Sequence, residues 1–583
     1  MISERKIEEL FPYTTQVDIK NFKKVLEHIG VTDQGIDGFI HPTTELFHHP
    51  FKMKDMEKAL DRLLIAFKNK QKVLFFGDYD TDGVTTTALF VKVLRDKGIH
   101  VDYYVPHRHK DGYGLNPKKM EKFSKQYDLI ITGDTGIKEL ETIHNCPIDV
   151  IVTDHHEPFV TSDKELIAKY NDVADIVSID GETMLIPKAF AVVNPKQIDC
   201  DYPNKCLSGV AVIFKLLQGL FIKQNWDQNE LIPHLDMVAT GLVADLVPQF
   251  DVEHQDNEVR LMTIAGLQIM NSNPKPWVSS IATLAKINEI DFGSLGFVFG
   301  PRFNAPGRLD SPFPVVEFLL EDDWELSLEK AEILEEYNNN RKQLQKDATE
   351  SIVNFLKNQD SSWTDRIIVV RAESQYHSGI AGLVASMLVG KYNVPAIVLC
   401  EKQVDGKTFL TGSCRSVEGV NILQLLQLTE KKMGSYRYGG HEMAAGLTIT
   451  PDQFETFWEC IREAATNLDD SLFESQLYYE IEVPINELTL PLVQFIRNSF
   501  YKIRLLSTDN YLYSPPTPMS SELNAKVFLE RDRVRYIANL WGTGKELCTK
   551  YSKGSFNTLD VVYNATIWND RISLEVENYK IKG

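Results

Sequence analysis

Three short apolar segments of this chain each run directly into acidic or imidazole side chains. The first, 73–76, reads Val-Leu-Phe-Phe and is followed by Gly and then by Asp78, Asp80 and Asp82 at alternate positions. Apolar runs of this kind are typical of parallel strands, which are buried on both faces of their sheet. Because ligands of such sheets bind beyond the carboxyl ends of the strands, the three aspartates occupy a functional position.

The other two segments end in the same manner, at Asp134 and at Asp154-His155-His156. A lone aspartate after a strand is more often a turn or helix-cap residue, but three such strand ends in succession are difficult to explain in that way. Carboxylates that lie this close together need cations between them. Oxygen and imidazole ligands suit Mn²⁺ or Mg²⁺, and a pair of such ions clamps the oxygens of a phosphoryl displacement. The pattern predicts a metal-dependent phosphoesterase.

The composition sets limits on the class of protein. A chain of 583 residues is too long for one core and predicts three or four domains. Its seven cysteines never follow a Cys-x-x-Cys spacing, which favours reduced thiols over disulfides or a zinc site. We find no apolar signal core and no long apolar run, so we expect a cytoplasmic protein without membrane association. A net charge of −20 means that any contact with nucleic acid depends on local clusters of Lys and Arg.

The pattern of apolar and polar residues divides the chain into five regions. Residues 1–70 are predicted to form a helical lead-in, and 71–315 alternate strands with helices as in a doubly wound α/β domain. Residues 316–357 lack Gly and Pro, which predicts one long connecting helix. A second, smaller α/β lobe is expected over 358–465. Short alternating segments over 466–583 predict a β-barrel of about five strands.

These motifs resemble the DHH phosphoesterase superfamily, which is named after the sequence found here at 154–156. Further similar segments follow in the same order as in its RecJ-type members: Ala244–Pro248, Gly300–Arg308, His377–Gly382, Gly412–Ser416 and Gly439–His441. The resemblance implies a parallel-sheet DHH domain, a smaller DHHA1 domain and an OB-like barrel. It also implies an enzyme that hydrolyses single-stranded DNA from the 5′ end.

The resemblance further implies a set of metal ligands and catalytic groups. Two divalent cations, Mn²⁺ or Mg²⁺, are expected on five side chains: Asp80, Asp82, Asp134, His155 and Asp245. His156 is expected to position the substrate or the leaving group, and Asp78 to act beside the ligands as a catalytic or supporting group. Phe76 stands where many relatives have a histidine, which leaves a set of five ligands.

Several residues are candidates for holding a nucleic-acid backbone. Arg302, Asn304 and Arg308 lie in a segment bounded by Gly and Pro, which predicts a phosphate-binding loop, although a surface ion pair explains either arginine equally well. In the second lobe, six residues suggest a pocket for a terminal phosphate: His377, Ser413, Arg415, Gly439, Gly440 and His441.

Aromatic residues beside basic ones suggest contacts with single strands. Arg108 and Tyr113 follow a predicted strand on the metal side of the sheet, where charge would meet phosphate and a ring would meet a base, although Tyr113 could equally anchor its loop. Tyr511, Tyr513 and Trp541 are stacking candidates on the barrel, but aromatics of a small barrel are also common in its core.

The leading hypothesis is a monomeric 5′→3′ exonuclease that degrades single-stranded DNA to mononucleotides in recombination and repair. A single-strand-binding protein and a helicase are the expected protein partners. The first alternative is a phosphodiesterase for short oligonucleotides or cyclic dinucleotides, which the length and the extra barrel disfavour. The second is a non-catalytic DNA-binding replication scaffold, which the complete set of acidic and imidazole residues disfavours.

Overall fold

The structure is a computed structural model of the chain. It describes residues 16–108, 110–112, 114–373, 376, 378–404, 406–473, 478–497, 503–519, 524–541, 544–553, 557–568 and 571–582. The described residues within 1–307, 311–332 and 477–583 form one compact unit, and those within 308–310 and 333–476 form the other. Within the described ranges, no helix combines the length and apolarity needed to cross a membrane.

The secondary-structure elements are numbered in chain order. The helices are α1 Gln16–Ile29, α2 Ile36–Ile40, α3 Met56–Lys68, α4 Thr81–Asp96, α5 Pro117–Ser124, α6 Leu140–His144, α7 Lys164–Tyr170, α8 Gly209–Gln224, α9 Leu235–Ala244, α10 Glu258–Ser272, α11 Pro276–Ala285, α12 Phe292–Ser294, α13 Gly300–Leu309, α14 Phe313–Leu319, α15 Trp324–Lys357, α16 Ala381–Tyr392, α17 Ile422–Met433, α18 Phe454–Ala465, α19 Leu490–Arg497 and α20 Gly544–Lys553. The strands are β1 Val73–Phe76, β2 Asp102–Tyr104, β3 Leu129–Thr132, β4 Asp149–Thr153, β5 Phe159–Val160, β6 Ala174–Ile179, β7 Glu182–Pro187, β8 Ala191–Val193, β9 Ile368–Arg371, β10 Ala396–Val404, β11 Lys407–Arg415, β12 Arg437–Gly440, β13 Ala444–Ile449, β14 Ile481–Glu482, β15 Leu505–Leu512, β16 Thr517–Pro518, β17 Ala525–Arg531, β18 Val534–Leu540, β19 Thr558–Trp568 and β20 Arg571–Lys582.

The first unit is built around a parallel sheet in the order β2-β1-β3-β4-β8. Every residue of β1 and β3 is buried, as expected for strands covered on both faces. Helix α4 follows β1 and packs against α8 and α9. Because the strands are parallel, β1, β3 and β4 all deliver their following residues to one edge of the sheet. The predicted doubly wound α/β domain is confirmed.

Three inserted strands extend this domain between β4 and β8. β6 and β7 form an antiparallel hairpin, and the short β5 pairs with the other side of β7. This small sheet begins three residues after His156, so it grows directly out of the segment that carries the two histidines.

The second unit contains a mixed sheet in the order β12-β13-β11-β10-β9. β9 and β10 are parallel, and the remaining pairs are antiparallel. Helix α16 contributes to a core with β9 and β10 on one face, and α17 and α18 cover the other face. A second, smaller α/β lobe is therefore present.

The barrel closes through five strands. β15, β19, β20, β18 and β17 follow one another, and β17 returns to pair with β15. Its interior is lined by alternate residues such as Val527, Leu529 and Leu574. The predicted five-strand barrel is confirmed.

The amino-terminal helix α1 belongs to the core of this barrel. Phe22, Val25 and Leu26 are fully buried and pack in one cluster with residues of β15, β17 and α19. Asn21 Nδ2 donates to Glu487 Oε2 at 3.2 Å, and Lys20 Nζ pairs with the same carboxylate at 3.0 Å. The region predicted as a lead-in thus includes a helix that completes the carboxyl-terminal fold.

Two sequence expectations about helices were wrong. The single helix expected over 316–357 is two helices, α14 and α15, and the Asp323 carboxylate accepts from the Leu326 backbone N–H at 3.0 Å in the first turn of α15. The loop expected at 300–308 is helix α13, which continues from a π-helical turn at Leu295–Phe299 despite containing Pro306. Tertiary contact explains the second error, because the Thr81 hydroxyl donates to the Gly300 carbonyl at 3.2 Å.

Candidate metal centre

The aspartates after β1 are fixed by helix amino termini. Asp80 caps α4, and its Oδ1 accepts from the Gly83 N–H at 3.0 Å. Asp82 is buried and accepts from the Ser208 hydroxyl at 3.0 Å and from the Gly209 and Val210 N–H groups at 2.6 and 3.1 Å. It therefore caps α8, a helix more than 100 residues later in the chain, and holds two helix ends together at the sheet edge.

Asp134 follows β3 in an unusual backbone conformation. Its φ of 62° lies in the left-handed region, which aspartate and asparagine tolerate better than most residues. Its N–H donates to the Thr153 carbonyl at 3.1 Å. A Cβ at Gly209 would lie 2.5 Å from the Asp134 Cβ, so glycine is required there. The carboxylate is 2 % exposed and projects into the cluster described below.

Asp154 organises the two histidines after β4. Its Oδ2 accepts from the Ile137 N–H at 2.9 Å, and its Oδ1 accepts from the His155 and His156 N–H groups at 2.7 and 3.1 Å. The same oxygen lies 2.8 Å from His156 Nδ1. This aspartate is thus saturated with hydrogen bonds and acts as a support for the histidines.

The carboxylates and His155 come together at the sheet edge. His155 Nε2 lies 3.0 Å from Asp134 Oδ1, 3.6 Å from Asp245 Oδ2 and 3.8 Å from Asp82 Oδ2. Ligand atoms within 4.8 Å of one another define three overlapping groups that could hold an ion: Asp82-His155-Asp245, Asp78-Asp80-Asp134 and Asp134-His155-His156. All five residues expected as ligands, together with Asp78 and His156, belong to these groups.

Burial and mutual repulsion of the carboxylates shift the pKa values of this cluster. Burial and the Asp80 carboxylate raise the pKa of Asp78 to about 8 and that of Asp82 to about 7. Burial and the Asp82 carboxylate raise the pKa of Asp245 to about 8 and that of Asp134 well above its ordinary value. Burial, aided by the charge of His156, lowers the pKa of His155 to about 3, so its imidazole is neutral and able to bind a metal.

Unpartnered oxygens support the same interpretation. Asp78 Oδ1 and Asp134 Oδ1 are buried and accept no hydrogen bond from the described residues, although His155 Nε2 lies 3.0 Å from Asp134 Oδ1. Leaving such oxygens without partners costs free energy that a bound cation would recover. The donor set consists of carboxylates and imidazole without thiolates, which suits Mn²⁺ or Mg²⁺. The residues present fit two divalent cations.

The pKa of His156 is shifted in the opposite direction from that of His155. Burial opposes its charged form, but the hydrogen bond and charge of Asp154 outweigh that effect and raise the pKa of His156 to about 9. Its side chain is 36 % exposed. His156 is therefore a cation at neutral pH on the solvent side of the cluster.

The raised pKa values predict that the metal-free protein loses stability as the pH rises. Asp78, Asp82 and Asp245 ionise near pH 3.8 when unfolded but near 7 to 8 when folded, so the folded state holds extra protons within that window. The lowered pKa of His155 makes its contribution to stability rise with pH below pH 6.5. The effect of the carboxyl groups is therefore unopposed by His155 between pH 6.5 and 8. We expect the free energy of unfolding to fall across this window in chelator and to recover with Mn²⁺, as measured by urea unfolding. A flat profile in chelator would contradict the assigned pKa values.

The residues expected to bind a backbone are distributed over both units. Asn304 accepts from the Thr81 N–H at 3.0 Å, so it supports the turn that carries Asp80 and Asp82. Arg302 is buried, and its Nη1 donates to the Val298 carbonyl at 2.8 Å, which corrects its expected place on an exposed loop. Arg108 lies over the Tyr79 ring at 5.2 Å, next to the aspartates. Tyr113 and His377 lie outside the described residues.

Within the second unit, several of the predicted phosphate-binding residues lie close together. Arg415 Nη1 donates to the Ser413 hydroxyl at 3.1 Å, and a Cβ at Gly382 would lie 2.8 Å from Arg415 Nη2 and 2.9 Å from Ser413 Oγ. Arg308 Nη1 lies 3.5 Å from the carbonyl oxygen of Gly379, at the start of the same helical segment.

The glycine motif lies in the same sheet as Ser413. Gly446 on β13 pairs with Ser413 on β11 and with Gly439 on β12. Three neighbouring strands therefore carry small residues side by side at this point of the sheet. Gly440 has a φ of 146°, and the N–H of His441 donates to the Ala444 carbonyl at 2.8 Å. A backbone surface of this type allows a ligand to approach closely.

Sequence reasoning missed two supporting groups. Asp154 was treated as part of the histidine motif, although its position at a strand end before two histidines is a signal for an orienting carboxylate. Ser208 and Gly209 hold Asp82 and lie at the start of the apolar helix α8, and a serine at such a position is a typical signal for a helix start.

The fold and the acidic edge of its sheet are those of a DHH-type phosphoesterase. Residues 72–242 match the DHH family, N-terminal domain, and residues 364–467 match the DHHA1 domain. Among curated proteins, the single-stranded-DNA-specific exonuclease RecJ of Escherichia coli K12 is 31% identical over 469 residues, which is 77% of this chain and 76% of that protein. The chain belongs to the RecJ family.

Other relatives agree with this assignment. The RecJ exonuclease of Bacillus subtilis 168 is 32% identical over 78% of this chain, and this chain spans about half (52%) of that protein. A crystal structure of exonuclease RecJ bound to manganese aligns with a TM-score of 0.58 at 25% identity and covers 74% of this chain and 98% of its own. RecJ of Thermus thermophilus in complex with Mn²⁺ shares the fold over 97% of this chain and 78% of its own, with a TM-score of 0.70 and 20% identity.

Proposed function

We propose that this protein is a metal-dependent exonuclease that degrades single-stranded DNA from the 5′ end to mononucleotides, in recombination and repair. The observation that carries the proposal is the cluster of five aspartates and two histidines at one sheet edge, whose ligand atoms lie close enough together to hold cations. The named activity of the curated relatives supports the choice of substrate.

Asp80, Asp82, Asp134, His155 and Asp245 hold two divalent cations in this proposal, with Asp78 as a further ligand or a support. When bound, the ions supply an activated water and stabilise charge on the phosphoryl oxygens. The chain's own contribution is to fix these ligands through helix ends and through Asp154. His156 is held as a cation by Asp154, and it binds the negative phosphate or the departing oxygen.

The second unit is proposed to bind the terminal phosphate. Ser413 and Arg415 supply a hydroxyl and a guanidinium, while Gly439, Gly440 and the helical segment at 378–380 supply accessible backbone. A guanidinium recognises phosphate with two parallel hydrogen bonds, and backbone N–H groups add to this. Arg308, which lies near the Gly379 carbonyl, places a second guanidinium in the same region.

Arg415→Ala tests this pocket. We expect the unaltered protein to prefer a 5′-phosphate over a 5′-hydroxyl by roughly fivefold to two-hundredfold, because charge-assisted hydrogen bonds contribute roughly 1–3 kcal/mol. The variant should lose most of that preference and retain metal binding. Arg437→Ala, on strand β12 of the same sheet, is the matched control. Equal cleavage of both strand types by the unaltered protein would refute the pocket.

The outer face of the barrel is proposed to extend the track for the strand. Tyr511, Tyr513 and Trp541 are 47%, 50% and 46% exposed, so they are not core residues. Phe528 and Ile537 are directly opposite each other on β17 and β18 and are 38% exposed each. The guanidinium of Arg535 lies 3.6 Å from the Tyr513 ring centre and is also paired with the Glu530 carboxylate. Rings and cations together are what sequence-tolerant single-strand binding requires.

Product analysis tests the proposed reaction. A long single strand incubated with the protein and Mn²⁺ should yield nucleoside monophosphates from the start of the reaction, and a chelator should abolish them. Accumulation of intermediate-length fragments without monophosphates would indicate internal cutting. Cleavage restricted to dinucleotides would favour the short-oligonucleotide phosphodiesterase. Binding without any Mn²⁺-dependent product would favour the scaffold. We further propose that the protein acts as a monomer with a single-strand-binding protein and a helicase as partners.

A further inference from the structure

Leu246 directly follows the candidate ligand Asp245 and has an unusual backbone. Helix α9 ends in a motif in which the Leu246 N–H donates to the Val243 carbonyl at 3.2 Å and the Val247 N–H donates to the Leu242 carbonyl at 3.1 Å. The residue at the position of Leu246 must then adopt a left-handed conformation, and its φ is 56°. Glycine is the usual residue at this position because it has no Cβ.

A leucine at this position is costly and is not compensated by burial. Of the described non-glycine residues with positive φ, Leu246 alone is apolar. Leu246 is 65% exposed, the largest exposed fraction among the large apolar residues that the structure describes. Leucine at this position strains the backbone, and its side chain remains in solvent. Glycine would therefore stabilise the folded monomer more than leucine does. The side chain therefore serves something outside the fold.

The cavity beside Leu246 indicates which ligand its side chain could contact. A cavity of about 660 Å³ lies between Leu246 and the β6–β7 hairpin, and the candidate metal ligands His155 and Asp245 form part of its wall. Leu207 and Met184 add apolar surface. This volume is within the range of small-molecule sites, and a cavity walled by metal ligands receives whatever adjoins the reacting phosphate.

The charges around the cavity favour a base over a phosphate. Glu157, Glu182 and Glu253 line it and would repel a phosphate, but their oxygens can accept hydrogen bonds from the amino groups of a base. Lys196 also lines the wall, but it is already paired with Glu157 at 3.0 Å. Lys205 donates to two backbone carbonyls, at 2.9 and 2.6 Å. A cavity that combines apolar surface with hydrogen-bond acceptors is suited to a flat heterocycle.

We propose that the Leu246 side chain packs against the base of the nucleotide at the cleavage position, within this cavity, and so positions its phosphate at the metal centre. The inference rests on the proposed exonuclease function and adds a base-contacting residue to it. An apolar side chain that packs against a ring does not distinguish one base from another. Leu246 therefore makes cleavage depend on the presence of a base and not on its identity.

The test compares two 5′-phosphorylated strands of equal length, one with a normal terminal nucleotide and one with an abasic tetrahydrofuran residue there. We expect the unaltered protein to release the normal nucleotide about fivefold to tenfold more efficiently in kcat/KM, which is the effect of partly burying one apolar side chain. Leu246→Gly should remove that difference by slowing release from the normal strand, with less than a twofold effect on the abasic strand. Its melting temperature should not fall, because glycine relieves the left-handed strain.

Val252→Ala is the matched control. Val252 is 52% exposed and, like Leu246, lines a neighbouring cavity of about 370 Å³, but it does not line the cavity of about 660 Å³. This variant should retain the preference for the normal strand. Equal release from both strands by the unaltered protein, or an equal loss on both strands in Leu246→Gly, would overturn the role of Leu246 while leaving the exonuclease proposal intact. No Mn²⁺-dependent release from either strand would overturn both.

Discussion

Asp134→Asn should reduce exonuclease activity by about a thousandfold or more while the protein remains folded. Asp134 Oδ1 lies 3.0 Å from His155 Nε2, and Asp134 belongs to two of the three groups at the sheet edge that could hold an ion, so its loss affects both proposed cations. A thousandfold corresponds to about 4 kcal/mol of transition-state stabilisation, which is within the range expected from displaced metal ions. The measurement is kcat on a long single strand with saturating Mn²⁺.

Stability separates loss of chemistry from loss of fold in this experiment. Asparagine tolerates the left-handed backbone at position 134, and removing one buried negative charge relieves repulsion, so the metal-free variant should unfold no more easily than the unaltered protein. Asp128→Asn is the matched control, since Asp128 precedes the same strand at its opposite end. Activity of Asp134→Asn within tenfold of the unaltered protein would contradict the proposed ligand set.

Replacing two rings on the outside of the barrel should weaken binding of long single strands by about thirtyfold or more. Tyr513 and Trp541 are half exposed, and each base stacked on a ring contributes about 1–3 kcal/mol. The double variant Tyr513→Ala/Trp541→Ala therefore loses at least about 2 kcal/mol if both rings stack on bases. Fluorescence anisotropy with a labelled long strand, in the presence of chelator, measures the change. Cleavage of very short strands should change little.

Trp324→Ala provides the control for this experiment, because Trp324 is a similarly exposed aromatic on α15, outside the barrel. Unchanged affinity of the double variant for long strands would show that the barrel rings bind something other than the strand. Deleting the whole barrel is a poorer test, because α1 packs in the barrel core and would lose its partner. The melting temperature of such a truncation would fall for reasons unrelated to DNA.

The sequence predicted which side chains meet at this edge of the sheet because the physical constraint there is local. Asp78, Asp134 and His155 each follow an apolar strand within a few residues, and parallel pairing brings such positions together at one edge without further information. Asp245 was found only through the family resemblance, since the end of a helix does not by itself indicate a ligand. The supporting contacts of Asp82 with Ser208 and Gly209 join residues far apart in the chain, and no local pattern predicts them.

The errors in the sequence analysis also have physical causes. Gly and Pro in the segment 300–309 favour a loop locally, but a preceding π-turn and contacts with Thr81 stabilise a helix there. The amphipathic pattern of α1 predicted a helix without revealing its partner, because the partner is a barrel more than 450 residues away. The strain at Leu246 is visible only in the backbone angles.

The most direct test of the central claim uses one single strand that carries different labels at its two ends. With Mn²⁺, the account predicts that the unaltered protein releases the 5′ label first as a mononucleotide while the 3′ label remains on a shortening strand. Chelator or Asp134→Asn should stop release of both labels. Earlier release of the 3′ label, or equal release of the 5′ label in chelator, would contradict a metal-dependent 5′→3′ exonuclease.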